Sequence, residues 1–315
     1  MKSGKYKVIA VVGPTAVGKS ALAVELAKRF NGEVISADSR QVYQGLTIGT
    51  GKITKREMLG IPHHLLDVAS PRGQYSVARY VKEGHRTISE IVRRKKLPIV
   101  VGGTGLYIDA LLGEMQFPDV PPNPALRKKL AKKSTSELFS LLKKLDLKRA
   151  KTIDRHNPRR LVRAIEIART AKLTPVPEQS SVRGTARNLK RKTDAKSHLY
   201  KPLYIGLVVP REKLQKRIAK RLVRRIKGGM IAEVRNLHTS SMSWKRLDSL
   251  GLEYRYVAQH LRGLISEKEM VAKLQTEIWH YAKRQMTWFR RNKKIKWFTP
   301  KELLEIRSEI IHFLG

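Results

Sequence analysis

Several residues in this sequence have the types and spacing to act on a phosphate. Gly13-Pro14-Thr15-Ala16-Val17-Gly18-Lys19-Ser20 fits the pattern G-x-x-x-x-G-K-[ST]. Its glycines let backbone N–H groups turn inward on an anion, and a helix opening there adds its positive dipole end. Lys19 supplies a point charge for the outer phosphate, and the Ser20 hydroxyl can ligate Mg2+. Asp38 ends a short apolar run at 33–38. It is either an ordinary turn cap or, close to a phosphate loop, a general base or Mg2+ contact. At Gly102-Gly103-Thr104-Gly105 an apolar run ends in glycines and one hydroxyl, where a triphosphatase usually places the Asp that orders Mg2+. Such an edge can hold a pyrophosphate while giving little support to triphosphate hydrolysis. Arg217 and Arg221 stand four apart on one helical face and can clamp a phosphate group. Arg159, Arg160 and Arg163 share a face of another expected helix, either as a solvated face or as contacts to a nucleic-acid backbone.

These residues need a frame. The apolar runs at 8–12, 33–38, 97–101 and 203–209 read as strands buried on both faces, with 297–298 as a short edge strand. Helical spacing covers 19–30, 76–94, 211–227 and 230–237. The longest helix, 266–290, carries an inner stripe of Met270, Leu274, Ile278, Tyr281, Gln285 and Phe289. Prolines 118, 121, 122 and 124 mark a boundary, after which 124–133, 135–145 and 157–169 read as helices with no strand between them. Residues 174–201 hold many basic residues and no helical stripe, as in a linker. The chain then returns to the sheet. The expected fold is therefore α/β: a parallel sheet of the P-loop nucleoside-triphosphatase type, flanked by helices, with an inserted all-helical domain. The sheet domain is expected at 1–117 and 202–315, and the insertion at 118–201.

Composition narrows the partners. Sixty-six Lys and Arg face 26 Asp and Glu, a formal net charge of +40. Self-repulsion of that size favours a polyanion, nucleic acid above all. The absence of cysteine rules out a disulfide framework, a thiolate zinc site and a Cys nucleophile. His63 and His64 are adjacent, which is not a metal-binding spacing; they are expected to be structural or to contact phosphate or RNA. The N-terminus enters the first strand without a signal peptide, and no apolar run approaches the roughly 18 residues of a membrane span. A cytoplasmic monomer with no membrane contact is the expectation.

Taken in order, the segments GPTAVGKS at 13–20, ISADSRQVY at 35–43, LTIGTGK at 46–52 and PHHLLD at 62–67 form a recognisable series. It continues through LPIVVGGTGLYIDALL at 97–112, NPRRLVRAIEI at 157–167 and AKRQMTWFRR at 282–291. The series resembles the tRNA dimethylallyltransferase (isopentenyltransferase) family over nearly the whole chain. The resemblance implies Mg2+-dependent transfer of a dimethylallyl group from dimethylallyl diphosphate to the exocyclic amine of the adenosine 3′ to the anticodon. It casts Asp38 as the general base. Lys19, the loop amides, Ser20-bound Mg2+, Thr104 and Arg221 would meet the leaving diphosphate. Contacts to the tRNA anticodon stem-loop would come from Asp38, Ser39, Arg40 and Gln41, from Arg159, Arg160, Leu161, Val162 and Arg163, and from Tyr254 and Arg255.

The chain departs from the family pattern at three places. Gly49-Thr50-Gly51-Lys52-Ile53 stands for G-T-A-K-P, which suggests a looser loop. Gly251-Leu252-Glu253-Tyr254-Arg255 is two residues longer than G-Y-[RK], and Arg225 replaces a common methionine. None touches the phosphate loop, Asp38 or Thr104, so an active enzyme is expected. The rival readings are a P-loop kinase, a non-catalytic RNA-binding protein on the same fold, and a prenyltransferase acting on free AMP or ADP.

Overall fold

The computed structural model, which describes residues 5–115, 118, 120–173 and 199–315, gathers the apolar runs into one six-stranded parallel sheet. The expected basic linker at 174–201 lies almost entirely outside the described residues. In chain order the sheet half contains β1 (Tyr6–Val12), α1 (Lys19–Arg29), β2 (Gly32–Ser36), α2 (Lys55–Met58), β3 (His63–His64), α3 (Val77–Arg93), β4 (Leu97–Val101) and α4 (Gly105–Leu111). Among the described residues four helices follow: α5 (Pro124–Leu130), α6 (Thr135–Leu145), α7 (Leu147–Ala150) and α8 (Pro158–Leu173). The chain re-enters the sheet at β5 (Tyr200–Leu207) and continues through α9 (Arg211–Lys227), α10 (Met230–Thr239), α11 (Trp244–Leu250) and α12 (Leu252–Leu261). It closes with α13 (Glu267–Phe289), β6 (Lys296–Phe298) and α14 (Leu303–Leu314).

The strand order is β3-β2-β4-β1-β5-β6. Ile9 of β1 pairs with Ile99 on one side and Leu203 on the other. Val8 through Val12 have no exposed surface, as strands covered by helices on both faces require. The chain leaves β1 towards β2 and leaves β4 towards β5, so the loops after these neighbours run in opposite directions. Open parallel sheets bind ligands in the crevice this creates at the carboxyl edge.

By contacts the chain divides into two compact units, 1–115 with 194–315, and 116–193. The second has its own apolar core, including Leu130, Leu138, Leu142, Leu161 and Ile165. Its helix starts are fixed by side chains: Asn123 caps α5, and Ser134 with Glu137 forms a capping box on α6. No helix among the described residues is long and apolar enough to cross a membrane.

Three features were not foreseen. His63–His64 forms an edge strand, because Val34 and Ile35 of β2 offer it a free side. A capping box of Thr54 and Glu57 turns the polar stretch after Lys52 into one helical turn. Residues 244–261 form two helices separated by Gly251, whose φ of 74° suits glycine.

Candidate active site

The phosphate loop leaves β1 at Gly13, where a β-carbon would lie 2.5 Å from the Leu207 carbonyl oxygen on the neighbouring strand. It ends at Gly18, in the left-handed region with φ 113°, directly before α1. Three neighbours hold this loop. The Thr15 amide donates to Gln285 Oε1 at 2.8 Å, Arg217 donates to the Val17 carbonyl at 2.9 Å, and Arg221 Nη1 lies 3.4 Å from Thr15 Oγ1. The Lys19 ammonium folds back on the Pro14 carbonyl at 2.6 Å. Burial, and then the nearby Arg221 guanidinium, bring its pKa down to about 7 against the opposing pull of Asp38. Ser20 opens α1 with its side chain exposed.

Asp38 sits just beyond β2, and both roles open for it are compatible with its surroundings. Its Oδ1 accepts from the Arg40 and Gln41 amides at 2.8 and 3.4 Å, an ordinary turn cap. Its Oδ2 accepts no hydrogen bond from the described residues. Thr104 accepts from the Ser39 amide at 3.1 Å, tying the glycine edge of β4 to the residue beside Asp38. Gly102 has to be glycine, since a β-carbon there would overlap the Ala37 carbonyl.

Thr15, Lys19, Ser20, Asp38, Gly102 and Gly103 line one cavity of about 360 Å³, together with Arg221, Arg225, Glu253 and Tyr281, while Thr104 and Arg217 are not among its lining residues. Tyr281 is pushed above the usual phenol range by burial and then by the Asp38 charge. Gln285 bridges the site: its Nε2 donates to the Gly103 carbonyl at 2.9 Å while Oε1 holds Thr15. On sequence it read as one more position of a packing stripe. A polar residue within such a stripe was the available signal.

Opposite the phosphate loop, the glycine-rich segment 45–52 is pinned rather than loose. Both Glu233 oxygens accept from it, at 3.0, 2.6 and 3.0 Å from the amides of Thr47, Ile48 and Gly49. Tyr254 donates to the same carboxylate at 2.8 Å. Gln41 reaches the Gly51 carbonyl at 3.4 Å, so the pinned loop braces the residue that follows Arg40.

The comparisons with known proteins come to the same architecture. A family model described as IPP transferase matches residues 41–292. The chain belongs to the IPP transferase family. A tRNA dimethylallyltransferase 2 of Treponema denticola is 45% identical over 293 residues, covering 93% of this chain and 94% of the relative. One from Anoxybacillus flavithermus is 39% identical, covering 98% and 96%. The crystal structure of a full-length tRNA isopentenylpyrophosphate transferase from Bacillus halodurans superposes with a TM-score of 0.71 at 36% identity, covering 98% of this chain and 96% of that one.

Within this IPP transferase the expected tRNA contacts have unequal surroundings. Arg159 and Arg160 are exposed at the start of α8. Leu161 is wholly buried in the core of the second unit, so its side chain packs instead of reaching outward. Val162 is half-buried against the same core. Arg163 is occupied: it donates to Glu166 at 2.6 Å and to the Val120 carbonyl at 2.8 Å. Tyr254 is 1% exposed with its hydroxyl taken by Glu233, which makes it a wall of the cavity. Arg255 is exposed and donates to the Asp248 carbonyl at 3.1 Å. Of the two histidines, His63 meets the Ile61 carbonyl at 2.8 Å and lines the cavity, and His64 meets Glu33 at 2.6 Å.

Proposed function

We propose that the chain transfers a dimethylallyl group from dimethylallyl diphosphate to N6 of the adenosine 3′ to the anticodon of a tRNA. The observation that carries this is the pairing, within one cavity, of a phosphate cradle with the Asp38 carboxylate, whose Oδ1 is held by the turn that follows it. An adenine amine is a weak nucleophile because its lone pair is delocalised into the ring. N6 attacks C1 of the prenyl group, the C1–O bond breaks, and the electron pair leaves with the diphosphate. Asp38 Oδ2 takes the N6 proton. Lys19 and Arg221, with the loop amides, meet the charge that develops on the leaving oxygen. The base has to leave its stack to enter the cavity.

Mg2+ fits these residues as an ion that accompanies the diphosphate. Ser20 offers a hydroxyl, and no group of three or more His, Cys, Asp or Glu able to hold a metal occurs among the described residues. An ion kept mainly by phosphate oxygens and water has that requirement. It would supply neutralisation of the diphosphate charge. We further read the enzyme as a monomer that acts in the cytoplasm on the anticodon stem-loop of its tRNA.

The test is direct. Unmodified tRNA with A next to the anticodon is incubated with dimethylallyl diphosphate, with Mg2+ or EDTA, and its nucleosides are analysed by mass. Prenylated adenosine should form with Mg2+ and fail to form with EDTA. Asp38→Asn should lower kcat by about 10² to 10⁴ with tRNA affinity retained. No product from the wild type, or undiminished product from Asp38→Asn, overturns the reading. A kinase is disfavoured because β4 ends in Gly102-Gly103-Thr104, without an acid to order Mg2+ for phosphoryl transfer.

A further inference from the structure

Arg225 shares α9 with the buried Leu214, Ile218 and Leu222, and is itself only 9% exposed. Its Nη1 is used twice, donating to the Gly49 carbonyl at 3.2 Å and to Glu253 at 3.0 Å. Its Nη2 is buried with no hydrogen-bond partner among the described residues. A guanidinium donor left unpaired away from water is costly, so a native structure holding one calls for an explanation.

The surroundings supply it. Arg225 lines the cavity that also contains Lys19 and Asp38. A β-carbon on Gly51 would overlap Nη2 of Arg225 and press on Nη2 of Arg221, so the two guanidinium tips are neighbours over a residue without a side chain. Arg221 in turn reaches Thr15 of the phosphate loop. Burial pushes the Arg225 guanidinium down and the Glu253 carboxyl up. Arg221 is brought down to about 10 by burial and then by Arg225. Like charges side by side and out of water are stabilised by an anion placed between them.

We propose that Arg225 is an additional anion-binding residue of the donor pocket, its Nη2 taking a phosphoryl oxygen of the diphosphate beside Arg221. The proposal rests on the donor reading given above. A purely bracing role would need only Nη1, which Gly49 and Glu253 already occupy. Glu253 acts as the counter-charge that keeps the guanidinium in place before the donor arrives.

Removing Arg225 alone would strand the Glu253 carboxylate, so the informative variants are Arg225→Lys and the pair Arg225→Met with Glu253→Gln. Inorganic pyrophosphate is titrated calorimetrically into each, and KM for dimethylallyl diphosphate, kcat and tRNA affinity are measured alongside. The paired variant should bind pyrophosphate about tenfold or more weakly. Its KM for the donor should rise by a similar factor, with tRNA affinity unchanged. Arg225→Lys, which keeps the charge and loses the fork, should fall between it and the wild type. Unchanged pyrophosphate affinity in both variants, with or without a loss of kcat, overturns the proposal and leaves Arg225 as a brace. Wild-type protein that binds pyrophosphate through Arg225 yet never prenylates tRNA would overturn the proposed function and leave this assignment standing.

Discussion

Lys19 carries two properties that pull against each other. Its ammonium is needed as a cation against the diphosphate, yet burial beside Arg221 brings its pKa to about 7. In the free enzyme at pH 8 much of Lys19 is therefore neutral. An arriving anion restores the charged form, because it favours the proton that burial disfavours. Diphosphate binding at pH 8 should consequently take up a proton, and affinity should fall as pH rises above about 7. Calorimetry in buffers of different ionisation enthalpy reads that uptake directly. Lys19→Ala should abolish it and weaken diphosphate binding, while tRNA binding is retained.

At the scale of elements, β2 shows how the strand that leads into Asp38 is anchored at its other end. Glu33 is 2% exposed at the start of that strand. Burial alone would raise its pKa; hydrogen bonds from Arg94, His64 and Lys96 prevail and bring it down to about 2. A carboxylate depressed from its usual 4.5 stabilises the fold fully above that pH, and the contribution is lost as pH falls through about 2. Solvent reaches Arg94, whose side chain is 45% exposed, so the cluster is worth roughly 1–2 kcal/mol. Glu33→Gln should lower the melting temperature at neutral pH, and its gap from the wild type should close as the pH is taken from about 4.5 to 2. The elements themselves were legible where one physical signal dominated. The run Val8–Val12 is buried on both faces, and Ser76 and Asn157 announce the helices they cap or precede. What stayed hidden depended on partners distant in sequence. Arg225 is one of nine basic residues on α9, and nothing local reveals that Gly51 has left it a place. Gln285 looked like packing because its two partners, Thr15 and Gly103, belong to other parts of the chain. Arg163 stands on the basic face of α8, and that it is engaged shows only once Glu166 is found buried beside it.

For the molecule as a whole, the net charge of +40 sets how it meets a polyanion. Binding that releases counterions weakens steeply with salt, and each phosphate contact adds to the slope. Arg159→Ala and Arg160→Ala, both on exposed side chains, should each reduce the slope of log affinity for tRNA against log salt by about one. Filter binding over a salt series measures this. Arg163→Ala should behave differently, since that side chain holds the buried Glu166 within the second unit's framework. The phosphate loop, Asp38 and the glycine edge of β4 were all evident from their spacing, because such loops and strand ends are made from contiguous residues. The anchoring of the Thr47, Ile48 and Gly49 amides was hidden for the opposite reason: Glu233, which accepts from them, and Tyr254, which donates to Glu233, come from α10 and α12.

The glycine under the two arginines has a historical consequence. With arginine at 225, alanine at 51 would collide with the guanidinium, and φ of 58° adds backbone strain. With methionine at 225, either residue at 51 is sterically free of that collision. A lineage moving from alanine and methionine to this pair therefore has one open road, in which glycine is acquired first and arginine second. Reversal is constrained in the same way, since arginine has to leave before a side chain returns at 51. Gly51→Ala should impair prenyl transfer far more in the native background than alongside the pair Arg225→Met with Glu253→Gln, and the four-member cycle of rates would expose that dependence.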